Sequence, residues 1–452
     1  MKVLFIYPDI REEEGCIGNT MQGSYKELGG MFYMGLAYIS AVLKQGGHDT
    51  KLVHITDMSN APKIHETINK WNPDLIAYSA TTNMFPYVCK INNEVKKYDI
   101  PQVLGGVHAT LDPEPSLKES QVDYVVVGEG EYPLLELCDG QDKHEINNLC
   151  YFEGGKFIKN PLRPLIDLDE LPPPDWDLFD YMNCYDGNIK RLNVVLSRGC
   201  PFKCSYCCNH ALATIYEGFG SYIRFPSPDK AMEIIKDGLA KYPELEYVDF
   251  RDDNLPLIPK WFEAFSLKYY KEINLPSVCI ARVNQLSEYN IHLLKRYMQC
   301  RMVRIGVETG NEYMKKLCNR KISNESVIEA FRLLHKYDIK TYAFYMIGLP
   351  FETPAMFLDT IKLHSKLNTN LYHLSVFYPF KNTKSYEMCK KEWFTEKEIP
   401  DYFHESILNQ PTFSNTQIKW FIKRFELLTK LYKLKLNSFI KYYVNHNMKD
   451  LI

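Results

Sequence analysis

Short apolar runs alternate with helix-like segments along most of this chain, and this pattern limits the possible folds more than any other feature. In the first 140 residues, apolar runs at 3–7, 75–79 and 124–127 alternate with segments of helical spacing such as 35–45. Short buried strands separated by helices predict a parallel sheet that is covered on both faces. Ligands bind such sheets beyond the carboxyl ends of the strands, where glycine-rich turns stand in this sequence.

The same alternation resumes after a proline-rich stretch and predicts an α/β protein of four regions. We expect a Rossmann-like (flavodoxin-like) parallel-sheet domain at 1–140 and a connector at 141–188, which contains three consecutive prolines. Three consecutive prolines favour an extended, semi-rigid segment. Six predicted strands at 189–385 indicate a partial (β/α)6 TIM barrel, whose working end is the C-terminal rim. The last region, 386–452, is predicted to be mostly helical.

Composition excludes several classes of protein. The 452 residues include 54 Lys and Arg against 56 Asp and Glu, so a large nucleic-acid footprint is not expected. No apolar stretch approaches the about 20 residues of a membrane span. The apolar run 3–7 is too short for a signal peptide, and 13 cysteines, an odd number, argue against a secreted disulfide framework. We therefore expect a cytoplasmic protein.

Four of the cysteines are clustered directly after a predicted strand at 192–197. Cys200, Cys204 and Cys207 supply three thiolates from one loop, and Cys208 follows. Structural zinc takes four protein ligands, so a zinc site completed by Cys208 or His210 is one interpretation. An iron–sulfur cube held by three cysteines leaves one iron open for a substrate. The compact triplet favours the cluster, because structural zinc usually takes two separated pairs of ligands.

The triplet, with Tyr206 before its last cysteine, resembles the signature of the radical S-adenosylmethionine (SAM) superfamily. Three further segments are similar to SAM-contacting strands of that family: 247–254, 305–310 and 345–352. The resemblance implies a [4Fe–4S] cluster on Cys200, Cys204 and Cys207, which reductively cleaves SAM to a 5′-deoxyadenosyl radical. It also implies an electron donor such as flavodoxin or ferredoxin. The SAM contacts that it implies are Tyr206, Asp252, Asp253, Glu308, Thr309 and Gly348.

Some residues depart from the family pattern or allow two interpretations. Ala343 and Phe351 stand where relatives often have glycine, and Arg320 begins an Arg-Lys-Ile run in place of the more usual Asn-Lys-Gly. Arg224 and Arg282 are candidates to bind a carboxylate, since the guanidinium offers a bidentate fork. Ordinary ion pairs are the alternative for both arginines.

Three segments of the N-terminal region resemble the cobalamin-binding domain that accompanies many radical SAM proteins: 73–80, 104–110 and 122–131. An empty Rossmann-like domain is the alternative. No Asp-x-His-x-x-Gly run occurs, so we expect cobalamin with its own base displaced and no histidine on cobalt. His108 is then a neighbour of the nucleotide tail. The implied contacts are Ser79, Thr81, Gly105, Gly106, Val107, His108, Gly128, Glu129, Gly130 and Glu131.

Together the resemblances identify the chain as similar to class B radical SAM methyltransferases. They imply methylation of an unactivated carbon (or a phosphinate phosphorus) of a small-molecule substrate through methylcobalamin. A rearrangement, ring contraction or cyclisation without methyl transfer is the alternative within the family. An RNA methylthiotransferase would need three further cluster cysteines, but the N-terminal region has only Cys16, Cys89 and Cys138. A non-catalytic scaffold would leave the triplet without a use.

The C-terminal region contains a helix with a clear start signal. Ser414 and Gln417 match a capping box, and Phe413 and Ile418 occupy the staple positions. One face of the helix is apolar and the other is basic. A solvated face on a packed helix is one interpretation of the lysines, and a face for a membrane surface or an anionic partner is the other.

Overall fold

The computed structural model of the chain describes residues 1–10, 29–395 and 402–449, and these residues form two compact units. The first unit comprises 1–10, 29–201 and 208–249, and the second comprises 202–207, 250–395 and 402–449. This grouping places the predicted connector, 141–188, in the first unit, so the boundaries between our four regions stay predictions. Cys16 lies outside the described residues.

The first unit is an α/β fold. Its strands are β1 (Lys2–Pro8), β2 (Asp49–Ile55), β3 (Leu75–Ser79), β4 (Gln102–Gly105), β5 (Tyr124–Val126), β6 (Leu149–Glu153), β7 (Lys156–Lys159), β8 (Arg191–Val194) and β9 (Tyr247–Phe250), whose last residue already belongs to the second unit. Its helices are α1 (Met34–Gln45), α2 (Pro62–Trp71), α3 (Phe85–Val95), α4 (Val107–Leu111), α5 (Pro113–Ser120), α6 (Glu131–Cys138), α7 (Tyr185–Asn188), α8 (Cys208–Ile215) and α9 (Pro228–Lys241).

The first seven of these strands form one sheet, with strand order β2-β1-β3-β4-β5-β6-β7. The pairs from β2 to β5 are parallel, and β6 and β7 add an antiparallel hairpin at the edge. The hairpin turns at Gly154 and Gly155 and extends the sheet, although it lies in the stretch that we expected to be a connector. Strand β6 pairs with β5 and carries buried apolar residues such as Leu149 and Tyr151, and β7 pairs with β6.

The register of the parallel strands places their carboxyl ends at one edge. Ser79 at the end of β3 lies beside Gly105 at the end of β4, and Leu104 lies beside Val125 of β5. All five residues of β3 are buried, as expected for a strand covered by helices on both faces. The three segments that resemble a cobalamin-binding domain therefore meet at this edge.

The second unit continues the alternation with parallel strands in the order β13-β12-β11-β10. The strands are β10 (Ser277–Ile280), β11 (Cys300–Glu308), β12 (Lys340–Ile347) and β13 (Leu371–Val376). The helices are α10 (Pro259–Glu272), α11 (Glu288–Arg296), α12 (Glu312–Leu317), α13 (Asn324–Lys336), α14 (Pro354–Leu367), α15 (Lys384–Glu387), α16 (Asn415–Lys433) and α17 (Asn437–Lys449).

The predicted capping box at the start of α16 is confirmed. The Ser414 hydroxyl accepts from the Gln417 amide at 3.3 Å, and the Gln417 side chain accepts from the Ser414 amide at 3.0 Å. The inner face of α16 packs on α14, where the ring of Phe357 contacts Phe421 and Phe425. No helix among residues 1–10, 29–395 and 402–449 is long and apolar enough to cross a membrane.

In chain order, six strands from β8 to β13 alternate with helices between Arg191 and Val376, which is the repeat of the predicted partial barrel. The α/β fold class is therefore confirmed, with a parallel Rossmann-like sheet, the βα repeats and helices at the C-terminus. The buried guanidinium of Arg191, at the start of β8, pairs with Asp186 at 2.5 Å and Asp249 at 3.0 Å. These ion pairs tie β8 to β9 within the first unit.

Candidate functional site

The cysteine loop leaves β8 through a turn that only glycine accommodates. Gly199 has φ of +90°, and a Cβ there would lie 2.2 Å from the carbonyl oxygen of Tyr222. Directly before this turn, the backbone of Arg198 exchanges two hydrogen bonds of 2.9 Å with the backbone of Arg224. Cys200, which follows, is thus placed by a fixed backbone.

The second half of the loop, 202–207, is held within the second unit by the residues that follow α12. The Ser205 amide donates to the carbonyl of Cys318 at 3.1 Å, and the Asn319 side chain donates to the carbonyl of Lys203 at 2.7 Å. Arg320 donates to the hydroxyl of Tyr206 at 2.7 Å. These bonds hold the loop in one conformation, with the Cys204 side chain buried.

Arg282, a residue that the sequence singled out, contacts this half of the loop. Its Nη1 donates to the Cys204 sulfur at 3.1 Å, and its guanidinium lies 3.7 Å from the ring centre of Phe202. The Asn254 side chain accepts from the Arg282 amide at 3.1 Å. Arg282 Nε and Asn254 Nδ2 are buried without an acceptor among the residues that the structure describes. Two buried donors beside Cys204 fit a ligand with a carboxylate, such as SAM.

Glu308 ends β11 in a strained conformation. The pairing of β11 with β12 is irregular between Gly306 and Glu308, and Glu308 has φ of +68°, which is uncommon outside glycine. The Tyr206 side chain forms a hydrogen bond with its carboxylate, and Arg320 lies 3.8 Å away. Burial raises the pKa of Glu308, although Arg320 and Tyr206 counteract it in part. Such strain at a strand end is typical of functional sites.

The turn after β12 is capped by a carboxylate that our sequence prediction did not include among the site residues. Glu352 Oε2 accepts from the amides of Gly348 at 2.7 Å and Leu349 at 3.3 Å. Burial raises the pKa of Glu352 to about 8 in spite of these two bonds. The Gln410 side chain donates to the carbonyls of the same two residues. Hydrogen bonds from Glu352 and Gln410 therefore fix the backbone of this turn, which lies in the segment 345–352 that resembles a SAM-contacting strand.

The remaining SAM candidates lie at strand ends of the βα repeats. Asp252 is buried and Asp253 is exposed, and both follow β9. Thr309 follows β11, is fully buried, and lies 3.3 Å from the hydroxyl of Thr360. The hydroxyl of Thr309 also accepts from the Asn311 amide. Thr309 therefore has structural partners of its own, and its role at SAM stays a prediction.

In the first unit, the glycine turn after β4 lies against the end of β3. Gly106 has φ of +95°, and a Cβ there would lie 2.7 Å from the carbonyl oxygen of Ala80 and 3.0 Å from the Ser79 hydroxyl. The Ser79 side chain forms a hydrogen bond with Tyr33. Gly105, Gly106 and Ser79 are thus brought together, as the sequence predicted. Hydroxyls and glycine backbone at this edge are donors and acceptors that fit the amide groups of cobalamin.

The side chain of His108, in α4, is fixed by contacts in the same unit. Its Nδ1 lies 3.3 Å from the hydroxyl of Thr82, and its ring stacks on Phe85 with 4.1 Å between ring centres. Thr81 donates to Asn83 at 2.5 Å, and Val107 begins α4. The predicted cobalamin contacts of these residues are not tested by the structure.

The turn after β5 is built around the hydroxyl of Tyr216. Gly128 has φ of +84°, and a Cβ there would lie 1.6 Å from the Tyr216 oxygen. That oxygen accepts from the amide of Glu129 at 3.3 Å, and the Gly128 amide donates to Thr110 at 2.8 Å. At Gly130 a Cβ would lie 3.1 Å from Ile39, so this turn has little room for side chains.

Two arginines hold the carboxylates of the same turn. Arg198 donates to Glu129 at 2.8 Å and to Glu131 at 2.5 Å, and Arg224 donates to both oxygens of Glu129. Burial opposes the charge of Glu129, but the two arginines outweigh burial and lower its pKa to about 2. For Arg224 the structure therefore shows the ion pair, which was the alternative to a ligand contact. The predicted roles of Glu129 and Glu131 at cobalamin stay predictions.

Burial does not separate the loop cysteines from the others, since Cys204 is buried whereas Cys89 and Cys389 are partly exposed. Cys138, Cys150, Cys184, Cys279, Cys300 and Cys318 are buried, as expected for small apolar residues. Cys200, Cys207 and Cys208 are partly exposed. Within the described residues, no three His, Cys, Asp or Glu side chains are grouped closely enough to hold one metal ion. The assignment of cluster ligands therefore rests on the spacing of the loop.

Two protein-family models match the chain, one in each predicted functional region. The B12 binding domain matches residues 29–138, and the Radical SAM superfamily matches residues 194–364. The chain thus combines a B12 binding domain with a radical SAM domain. The cofactors of these two domains are a [4Fe–4S] cluster, SAM and cobalamin.

Relatives of this cobalamin-binding radical SAM enzyme include proteins with two kinds of activity. An uncharacterised methyltransferase of Pyrococcus horikoshii is 29% identical over 366 residues, which cover 78% of this chain and 77% of the relative. The anaerobic magnesium-protoporphyrin IX monomethyl ester cyclase of Rubrivivax gelatinosus is 27% identical over 403 residues, covering 84% of this chain and 68% of the relative. The names of these two relatives thus indicate different reactions.

Solved structures share the fold of this cobalamin-binding radical SAM enzyme. The radical SAM methyltransferase TsrM of Kitasatospora setae, with cobalamin and a [4Fe–4S] cluster bound, matches with a TM-score of 0.67 at 16% identity. The match covers 85% of this chain and 76% of TsrM. The cobalamin-dependent radical enzyme OxsB, with aqua-cobalamin and SAM bound, matches with a TM-score of 0.65 at 16% identity, covering 82% of this chain and 53% of OxsB.

Our sequence prediction omitted four residues that shape this site: Arg198, Tyr216, Asn254 and Glu352. Arg198 stands two residues before Cys200, and Glu352 stands in a segment that resembles the family, so position alone could have suggested both. Tyr216 gives no such signal, because its partners at 128–129 and 148 lie far away in the sequence.

Proposed function

We propose that this enzyme transfers a methyl group from SAM to an unactivated carbon of a small-molecule substrate. The observation that carries the proposal is the methyltransferase relative, which aligns with 78% of this chain and so overlaps both family domains. The hopanoid C-3 methylase of Methylococcus capsulatus and the cytidylyl-2-hydroxyethylphosphonate methyltransferase of Streptomyces wedmorensis, at 26% and 21% identity, support the same reaction class.

In this proposal the cysteine loop and residues of the βα repeats bind and orient SAM. Cys200, Cys204 and Cys207 would hold the cluster, and Arg282 would offer its Nε to the SAM carboxylate while its Nη1 stays on the Cys204 sulfur. Glu308 would accept hydrogen bonds from the nucleoside. When bound, the cofactors supply a carbon-centred radical and a transferable methyl group.

The first unit would hold cobalamin at the carboxyl edge of its sheet. Ser79 and the turn at Gly105 and Gly106 would receive the nucleotide tail and the amide groups, while Arg198 and Arg224 keep the neighbouring turn in place. His108 would flank the tail, in keeping with its contacts to Thr82 and Phe85.

A second candidate is a cyclisation or rearrangement that uses cobalamin without methyl transfer. The observation that favours it is the similarity to the cyclase of Rubrivivax gelatinosus, which covers 84% of this chain. The two reactions differ in the fate of SAM. Methyl transfer converts one SAM to S-adenosylhomocysteine and cleaves another to 5′-deoxyadenosine, whereas a cyclisation needs only the cleavage.

The test needs no substrate. The enzyme is reconstituted without oxygen with iron, sulfide and cobalamin, then reduced and incubated with SAM that carries a labelled methyl group. We expect S-adenosylhomocysteine in an amount that matches the label recovered with cobalamin, together with 5′-deoxyadenosine. Formation of 5′-deoxyadenosine without labelled cobalamin would overturn methyl transfer and favour the cyclase-like reaction.

A matched variant separates the two uses of SAM. Cys204→Ala is expected to abolish 5′-deoxyadenosine, because the cluster loses a ligand, and to leave labelling of cobalamin by chemically reduced enzyme measurable. The natural reductant in this proposal is a small electron-transfer protein such as flavodoxin or ferredoxin.

A further inference from the structure

The end of α16, the following turn and α17 expose large apolar side chains. Leu434 is 68% exposed, Tyr442 69% and Phe439 51%, and Leu427 and Leu436 exceed 40%. We call these five residues the apolar tip. Stacking fixes part of it, since Phe439 lies 6.0 Å from Tyr443 and Tyr442 lies 5.9 Å from His446, ring centre to ring centre.

Lysines surround the apolar tip. Between Asn415 and Lys449 the sequence has eight lysines and arginines but one acidic residue, Glu426, whereas the whole chain has a formal net charge of -2. Glu426 is exposed, and its carboxylate accepts a hydrogen bond from the hydroxyl of Tyr372 at 3.2 Å. The exposed lysines nearest in sequence to the tip are Lys423, Lys430, Lys433, Lys435 and Lys441.

The outer face of α16 mixes the two kinds of side chain in one stripe. Lys423, Leu427, Lys430 and Leu434 follow one another at spacings of four, three and four residues, which places them on one face of a helix. The opposite face is buried against α14. Lysine can lay its aliphatic stem along an apolar surface and keep its charge in a polar layer, so the stripe suits a boundary between the two.

The apolar tip lies at the end of the second unit that faces away from the carboxyl ends of its strands. The α16 helix begins beside the end of β12, where Ile418 adjoins Gly348. Its Glu426 reaches Tyr372, the second residue of the parallel strand β13, and therefore lies near the amino end of that strand. Leu434 lies 16 residues, or about 24 Å of helix, beyond Ile418.

We propose that the apolar tip and its lysines bind the surface of a lipid bilayer that contains anionic headgroups. Exposed leucine and phenylalanine enter the boundary of the acyl chains, while lysines attract the anionic surface. An acidic protein fits less well, because lysine is depleted at the core of protein interfaces. A nucleic acid would leave the five apolar side chains without a role. Binding at this end leaves the carboxyl rim of the strands facing away from the membrane.

The test uses the full chain and vesicles of phosphatidylcholine with or without about 30% phosphatidylserine, measured by co-sedimentation. We expect binding to the anionic vesicles alone, weakened by salt. Neutralising Lys433, Lys435 and Lys441 to Gln should weaken binding about fivefold for each lysine. Replacing Leu434 and Phe439 with Ser should weaken it at least about tenfold, because apolar burial is lost.

A matched control neutralises three exposed lysines elsewhere, Lys118, Lys260 and Lys271, and should bind as the parent does. All substituted side chains are exposed, so circular dichroism should be unchanged. Absence of binding to anionic vesicles would overturn the proposal. So would equal binding by the Leu434→Ser/Phe439→Ser variant, which would indicate charge adsorption alone, or binding to an RNA homopolymer without binding to vesicles.

Discussion

Two carboxylates cap turns at the carboxyl ends of parallel strands, one in each unit, and their electrostatic states are opposite. Glu129 follows β5 and is paired with two arginines, which lower its pKa to about 2. Glu352 lies in the turn after β12, where backbone amides of Gly348 and Leu349 are its donors, and burial raises its pKa to about 8. Both turns begin at a glycine with φ near +84°.

The difference shows that burial alone does not set the charge of a turn. Two guanidinium groups compensate the desolvation of Glu129, so that turn is held by charge. Two amide donors do not compensate the desolvation of Glu352, which favours the protonated form at neutral pH. The turn of the first unit is thus held by ion pairs, an arrangement that we call the ionic clamp. The turn of the second unit is held by hydrogen bonds to a largely neutral carboxyl group.

Removing the shared arginine should have the largest effect. Arg198→Met leaves Glu129 with one partner and Glu131, which is 4% exposed, without its guanidinium. Leaving a buried carboxylate uncompensated costs about 3 to 5 kcal/mol. We expect a loss of that size in the free energy of unfolding at pH 7, measured by chemical denaturation.

The control for this variant is an exposed ion pair in the same unit. Lys190 and Glu246 are 53% and 61% exposed, so Lys190→Met should cost at most about 1 kcal/mol. Equal losses in the two variants would contradict the ionic clamp.

The next largest effect is expected from alanine substitutions at the two turn glycines, which should lower the free energy of unfolding by different amounts. A Cβ at Gly128 would lie on the Tyr216 hydroxyl, whereas at Gly348 the nearest atom, at 2.9 Å, is the end of the Ile418 side chain. Gly348→Ala should cost about 1 to 2 kcal/mol, from its left-handed backbone alone. Gly128→Ala should cost about 2 to 4 kcal/mol, because the hydrogen bonds of Tyr216 are also lost.

A double-mutant cycle sharpens this comparison. In the Gly128→Ala/Tyr216→Ala variant the steric conflict is absent, so the combined loss should be smaller than the sum of the single losses. Additive losses would show that Tyr216 does not limit the space at Gly128.

The pH dependence of Glu352 should give the smallest effect at any one pH. Its folded-state pKa of about 8 lies above the ordinary 4.5, so the folded protein holds an extra proton between these values. Stability should fall as pH rises through this range, by up to about 1.4 kcal/mol per pH unit. Glu352→Gln removes this slope. From pH 6.0 to pH 7.5 the unfolding free energy of the variant, relative to that of the parent, should therefore rise by about 2 kcal/mol.

Glu129→Gln is the mirror control. The ion pairs of Glu129 stabilise the fold above about pH 4.5, and this contribution disappears as pH falls toward 2. The variant should therefore be less stable than the parent at neutral pH, with the difference shrinking in acid. The unfolding free energy of the variant minus that of the parent should rise with pH for Glu352→Gln and fall with pH for Glu129→Gln. A change in the same direction for both variants would contradict the assigned charge states.

Local sequence patterns predicted much of the fold. The bounds of β3 agree with the predicted apolar run 75–79 residue for residue, and the capping box at Ser414 is present as predicted. These features depend on neighbouring residues, on alternation or on helical spacing. For the same reason, the glycine turns after β4 and β5 were predicted with their positions at the sheet edge.

Contacts between distant residues could not be predicted from one sequence. The hairpin of β6 and β7 joins the sheet through pairing with β5, which no local pattern signals. Arg198 and Glu129 are 69 residues apart, and Tyr216 and Glu129 are 87 apart. The charge states of the two turns follow from such partners, so they became visible only in the folded chain.

We propose that three cysteines of one loop hold an iron–sulfur cluster in which one iron has no protein ligand. One measurement tests this directly. The protein is purified and reconstituted without oxygen, its iron, sulfide and zinc are determined, and EPR spectra of the reduced protein are recorded with and without SAM. We predict about four irons per chain and a signal that changes with SAM. Cys204→Ala should lose both, whereas Cys208→Ala should keep both. Zinc at the loop, lost in Cys208→Ala, would contradict the account.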